Sequence, residues 1–136
     1  MVFSDPETDL DVGIVFLYVE EQSLAFYYYS FYDLEYTKDS LGMFMMTASV
    51  KYFAEQNFNH LYLGSCYSRN ALYKTQFTGA EFFNGFQWSQ NIKELKFLIE
   101  RDAKTVDKHL LENAEFADLF YPDGVAQLNS KSIFNI

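Results

Sequence analysis

Six aromatic side chains crowd into nine residues between Leu24 and Tyr32: Phe26, Tyr27, Tyr28, Tyr29, Phe31 and Tyr32. Rings at this density favour a pleated strand over a helix interior, where they would lose rotamer freedom against the preceding turn. Shortly afterwards Asp39-Ser40-Leu41-Gly42 opens a stretch with helical spacing, in which Asp39 or Ser40 is placed to cap the free N–H groups of a first turn. Leu41, Phe44, Met45, Ala48 and Tyr52 recur at three- and four-residue intervals, so a helix from Ser40 to about Gln56 is predicted to bury that face. Met43, Met45 and Met46 read as adaptable core filling. The strand-to-helix junction gathers unpaired N–H groups and a positive dipole end at one spot, which suits an anion or a developing oxyanion.

A chain of 136 residues fits one domain with a real core, and 49 % hydrophobic content excludes a disordered polymer. No apolar run approaches the roughly 18 residues of a membrane span, since Val12 to Val19 is bounded by Asp11 and Glu20. Met1 to Asp11 is acidic, lacks the basic start of a secretory leader, and reads as a mobile polar arm. The single cysteine, Cys66, has no partner for an internal disulfide and fits a reducing cytoplasm. The expected organisation is an acidic arm at 1–11, one domain at 12–120 and a tail at 121–136.

Charge is uneven. Of the formal net charge of -9, nearly all belongs to the first 50 residues, where only Lys38 opposes a run of carboxylates from Asp5 to Asp39. Nucleic-acid affinity is driven by Lys and Arg releasing counterions, so broad binding of that kind is disfavoured. The aromatic strand resembles a base-stacking platform, but no Arg or Lys interleaves it, and side-chain packing on the sheet is the favoured expectation.

Around this junction, Val12 to Val19 is expected to form a strand covered on both faces, and Glu20 to Ser23 a hairpin turn. After the helix, Asn57-Phe58-Asn59 is a stop, and His60 to Gly64 is expected to return as a short buried strand. Ser65 to Lys74 reads as a loop followed by one or two helical turns, and Asn84-Gly85 as a turn. Leu95, Phe97 and Ile99 alternate with Glu94, Lys96 and Glu100, which predicts a strand over Glu94 to Arg101, with a helix as the alternative. Val106, Leu110, Ala114 and Ala117 fall on one face of a helix over Ala103 to Leu119.

Motifs with a known chemistry are absent. His60 and His109 have no metal-type spacing, one cysteine makes no zinc pattern, and no phosphate loop, dinucleotide fingerprint or nucleophile elbow occurs. No metal or cofactor is therefore expected. A triad of Cys66, His109 and a carboxylate has no local support, and Cys66 reads as a small, buried or half-buried thiol.

One ordered set of features nevertheless resembles a known family. Phe31-Tyr32-Asp33, Asp39-Ser40-Leu41-Gly42 with Phe44, Leu61-Tyr62-Leu63-Gly64, Tyr73-Lys74, Phe77, Glu81, Gly85 and Trp88 are similar in order and spacing to the C-terminal domain of the arginyl- and leucyl-tRNA-protein transferases. The likeness runs from about Val12 to Trp88. It implies an α/β (α+β) fold, an N-acetyltransferase-like three-layer sheet flanked by helices, here without its opening strands. It also implies an activity: moving an aminoacyl group from tRNA to a protein α-amino group, with aminoacyl-tRNA and a protein N-terminus as partners and no membrane.

Carried over by position, Ser40, Leu41 and Gly42 match the turn that faces the donor substrate, and Tyr73 and Lys74 match the family's Tyr-Lys pair. Such a reaction needs a neutral amine, a polarised ester carbonyl and a protonated leaving oxygen. The resemblance thus implies that N–H groups near Gly42 stabilise the carbonyl oxygen and that Tyr73 or Lys74 acts on the leaving oxygen or a phosphate, while Asp33 holds the incoming ammonium. The chain departs from the family at Ser68-Arg69-Asn70-Ala71-Leu72, where a Cys-x-Lys-Met type segment is usual, and at Thr78-Gly79, where Arg-Pro is usual. It also carries no counterpart of the family's cysteine-bearing N-terminal domain. The alternatives are a non-catalytic binding or assembly module on the same scaffold and an acyl-CoA-dependent transferase, the latter with one glycine where a glycine-rich loop is expected. A shortened sheet has an open edge, so a homodimer or a partner subunit that completes it is expected.

Overall fold

The structure, a computed structural model, describes residues 1–21 and 23–124, so the expected tail lies outside the described residues from position 125 onward. The backbone divides into two compact units, Met1–Gly64 and Ser65–Ile136. The fold is mixed α+β.

The first unit is a four-stranded mixed sheet with one helix. Strands β1 (Val2–Ser4), β2 (Asp11–Glu20), β3 (Leu24–Tyr32) and β4 (His60–Tyr62) lie side by side in that order. The first two pairings are antiparallel, and β4 runs parallel to β3. Helix α1 (Leu41–Glu55) is the crossover between β3 and β4, as a parallel pair requires a long connection. The aromatic strand, the hairpin before it and the helix after it therefore form where their residues predict.

Several expectations are corrected. The acidic arm is not free: β1 pairs with β2, Val15 N–H donates to the Met1 carbonyl at 2.9 Å, and the Tyr36 hydroxyl donates to Asp5 at 2.6 Å. That last bond holds the Asp5 carboxyl below its ordinary range and the Tyr36 hydroxyl above its own. Strand β2 is covered on both faces only in its first half, where Val12, Gly13 and Val15 are buried; Phe16, Tyr18 and Val19 are exposed. In β4 only Leu61 is partly buried.

A β-bulge explains part of this pattern. Phe16 pairs with Tyr29 and Leu17 with Tyr27, which leaves Tyr28 as an extra residue on β3. Gly13, Val15 and Leu17 thus share a face with Ala25, Tyr27, Ser30 and Tyr32, and α1 covers it. The opposite face carries Ile14, Phe16 and Tyr18 with Phe26, Tyr29 and Phe31.

The buried stripe of α1 is Leu41, Met45, Met46, Ser49 and Phe53, rotated from the expected Leu41, Phe44, Met45, Ala48 and Tyr52. Two small residues cause the rotation. Gly13 leaves room for Met45, whose sulfur lies 2.6 Å from where a Cβ would stand, and Ser49 turns its hydroxyl back to the Met45 carbonyl at 2.8 Å. Phe44 instead meets Phe3 edge-on at 6.0 Å.

In the second unit a 3-10 helix (Arg69–Gln76) precedes a hairpin of β5 (Phe82–Phe83) and β6 (Trp88–Ser89), followed by helices α2 (Ile92–Asp102) and α3 (Ala114–Phe120). The hairpin confirms the Asn84-Gly85 turn: Asn84 N–H donates to the Gln87 carbonyl at 3.1 Å, and Gly85 takes φ 107. The strand expected at Glu94 to Arg101 is a helix. Asn91 caps it, its side-chain oxygen accepting from the N–H groups of Lys93 and Glu94. The helix expected over Ala103 to Leu119 is broken, with Lys104 to Lys108 irregular, a 3-10 turn at Leu110–Glu112 and α3 starting only after the Asn113 cap. Leu95, Ile99, Phe116 and Tyr121 form the core, with Phe116 at 5.4 Å from Tyr121 and 5.9 Å from Phe97.

Candidate functional site

Each residue carried over from the transferase family has a defined place. Asp33 directly follows β3, and its carboxylate accepts the Glu35 N–H at 2.9 Å, which caps the 3-10 helix Leu34–Asp39. Ser40 ends that helix and begins α1 in one residue, which puts it in the left-handed region at φ 57. Neither Asp39 nor Ser40 makes the expected side-chain cap of α1, because Asp39 still belongs to the 3-10 helix and Ser40 has the wrong backbone for one. The Ser40 carbonyl instead accepts from the N–H groups of Met43 and Phe44, at 2.9 and 3.0 Å.

Leu41 is buried and anchors the first turn. Gly42 sits against the Tyr32 ring, whose nearest carbon is 2.8 Å from an ideal Cβ. The helix start therefore follows the strand end closely, as the sequence predicts. Its surroundings are acidic, however, with Asp33, Glu35 and Asp39 exposed and Lys38 beside them.

Tyr73 and Lys74 lie in the second unit, on the 3-10 helix Arg69–Gln76. Lys74 Nζ donates to the Ser65 carbonyl at 3.0 Å, and Tyr73 is exposed. Burial pushes the Cys66 thiol above its ordinary range while the Lys74 charge works the other way. Asp33, Ser40, Leu41 and Gly42 thus belong to one unit, and Tyr73 and Lys74 to the other. Among the described residues no group of three or more His, Cys, Asp or Glu side chains is arranged to hold a metal ion.

Two features were not anticipated from the sequence. One is a buried polar cluster in the second unit. Glu94, 1 % exposed, accepts from Asn84 Nδ2 at 2.7 Å and the Tyr121 hydroxyl at 2.8 Å through one oxygen, and from Ser89 Oγ at 2.7 Å through the other. Gln87 Nε2 donates to Tyr121 at 2.7 Å. Burial and the hydrogen bond to Glu94 push the Tyr121 hydroxyl up to about 12. Every polar group named here is paired, so the cluster is a scaffold for the hairpin and α2.

The other feature is the sheet face away from α1. Phe16, Tyr18, Tyr29 and Phe31 on it are 49 to 60 % exposed, and the bulged Tyr28 is 71 % exposed. Phe16 contacts Phe31 at 5.9 Å, and Phe31 contacts Tyr29 at 6.3 Å. The expectation of packing within the sheet thus holds for Tyr27, which is buried, and fails for the outward rings. No Lys or Arg occurs in β2 or β3. A contiguous apolar surface of this kind is the ordinary mark of an interaction site.

No protein-family model, curated protein or solved structure matches the chain. No helix of the described residues is long and apolar enough to cross a membrane.

Proposed function

We propose that this chain is a non-catalytic binding and assembly module on an N-acetyltransferase-like scaffold, a divergent relative of the aminoacyl-tRNA-protein transferases that works through its aromatic sheet face. One observation carries the reading: rings at Phe16, Tyr18, Tyr29 and Phe31 stand exposed together on one side of a sheet whose other side is covered by α1. Surface aromatics grouped in this way supply large contact area at low entropic cost, because each ring has only two side-chain torsions to fix.

Three residues of the implied donor site support the same reading, because they are engaged in the scaffold. Asp33 caps a helix, Gly42 permits the approach of Tyr32, and Lys74 is bonded to a backbone carbonyl. The acidic helix start is a poor neighbour for tRNA phosphates, which favour Lys and Arg. The strand, crossover helix and parallel strand of the first unit are compatible with such a scaffold.

Two measurements test the reading together. With radiolabelled arginyl- or leucyl-tRNA and a peptide acceptor, the pure chain is expected to transfer nothing; transfer that disappears in Lys74→Ala restores the enzyme and ends the module reading. The native chain is expected to bind an apolar fluorescent probe, and Phe16→Ser with Phe31→Ser is expected to remove most of that signal at an unchanged circular dichroism spectrum. Probe binding that ignores both substitutions also counts against it.

A further inference from the structure

The ladder between β2 and β3 shows which backbone groups of β3 face outward. Asp33 N–H donates to the Val12 carbonyl at 2.9 Å, so Val12 and Asp33 form a hydrogen-bonded pair. Such pairs alternate along an antiparallel ladder. Ile14 with Phe31 and Phe16 with Tyr29 are then the next hydrogen-bonded pairs, whereas Gly13 with Tyr32 and Val15 with Ser30 are the non-bonded ones. The bond from Val15 N–H to Met1, on the far side from β3, has this same phase. The backbone N–H and C=O groups of Ser30 and Tyr32 consequently point away from β2.

Strand β4 occupies that side of β3 only opposite Leu24, Ala25 and Phe26. Among the described residues no strand lies beside Ser30 or Tyr32. Four outward main-chain groups thus stand in a row, flanked on the open face by the exposed rings of Tyr29 and Phe31. An open edge with exposed alternate side chains is the geometry that receives an added strand.

Charge selects the occupant. The first unit carries ten carboxylates against Lys38 and Lys51, with no Arg, and Asp33, Glu35 and Asp39 are exposed just past the end of β3. A second copy of this chain or a phosphate-bearing ligand brings more negative charge to that end; a cationic segment is attracted. We propose that the β3 edge at Ser30 and Tyr32 takes an extended segment of a partner protein as an added strand, apolar at alternate positions and flanked by lysine or arginine. This rests on the binding-module reading and narrows it to one mode of contact.

The test is fluorescence anisotropy of the full chain with a labelled synthetic peptide, Lys-Lys-Val-Thr-Val-Thr-Val-Lys-Lys. Three changes are compared: glutamates in place of the lysines, N-methylation of alternate peptide amides, and Ser30→Pro in the protein. Proline at position 30 removes an edge donor without touching the β2 ladder, so its thermal midpoint is expected to match the parent's. Each change is expected to weaken binding about tenfold or more, the equivalent of losing one or two hydrogen bonds or a charge pair.

The proposal is overturned if the lysine-flanked peptide does not bind, if N-methylation has no effect, or if folded Ser30→Pro binds like the parent. A concentration-dependent dimer by light scattering that Ser30→Pro abolishes assigns the edge to a second copy, and displacement of the peptide by acetyl-CoA assigns it to a donor substrate; either result also overturns it. Should Ser30→Pro fail to fold, the N-methylated peptide decides alone. Binding lost in Phe16→Ser yet kept in Ser30→Pro removes the edge and leaves the module reading standing, whereas aminoacyl transfer removes the module reading whatever the edge does.

Discussion

Gly13 and Gly42 each admit a neighbour closer than a Cβ allows, yet alanine has different consequences at the two positions. At Gly42 the intruding atoms belong to the far end of the partly exposed Tyr32 ring, which has room to swing outward. Alanine also gains about 1 kcal/mol of helix propensity there. Gly42→Ala is therefore expected to stay within about 1 kcal/mol of the parent in a urea titration. At Gly13 the intruder is the sulfur of Met45, which is completely buried. Gly13→Ala is expected to cost about 1–3 kcal/mol by overpacking. In the second unit, Glu94→Ala leaves Asn84, Ser89 and Tyr121 donors without their acceptor, and a loss of about 3 kcal/mol or more is expected on the same measurement. The raised Tyr121 hydroxyl fixes a sign as well. Folding favours the protonated phenol, so its contribution is complete below the ordinary tyrosine value of 10 and declines as pH rises from there to about 12. Tyr121→Phe is expected to flatten the fall in thermal midpoint across that window.

At the scale of elements, the chain was most legible where bulk decided the matter. The aromatic stretch at Leu24 to Tyr32 and the apolar-faced Leu41–Glu55 formed a strand and a helix because their side chains suit little else. The α2 segment misled because alternation of Leu95, Phe97 and Ile99 assumes that Glu94 points to water, and Glu94 is buried. What settles that segment is Asn91, whose cap satisfies the first free N–H groups of a helix that then buries Leu95 and Ile99 at a four-residue spacing. Asn91→Ala is expected to cost about 1 kcal/mol and to speed amide exchange in the first turn of α2. The stripe of α1 was misplaced for a related reason: Phe44 and Tyr52 are large enough to be read as core, but Gly13 and Ser49 determine which side of the helix approaches the sheet.

For the whole molecule, the candidate surface was half visible. The rings were plain in the sequence, but their distribution between two faces depends on a ladder register set by a residue that pairs with nothing, and the carried-over Tyr73 and Lys74 lie in a different compact unit from Ser40 and Gly42. The charge asymmetry was legible outright, since ten of the carboxylates fall in Met1–Gly64 against two lysines. Raising ionic strength until the screening length falls from about 30 to about 3 Å is expected to slow amide exchange in β2 and β3 more than in α2. The extra tyrosine has an effect on chain length. Losing a residue from the middle of a strand ordinarily turns half of it inside out, as deletion of Phe16 would do to β2. Tyr27, Tyr28 and Tyr29 are identical neighbours, and subtraction of any of them yields the same polypeptide, with every remaining ring still on its own side. The architecture thus has one supernumerary letter, and a version of 135 residues is expected to give the parent's spectrum and a midpoint within a few degrees, on the order of 1 kcal/mol.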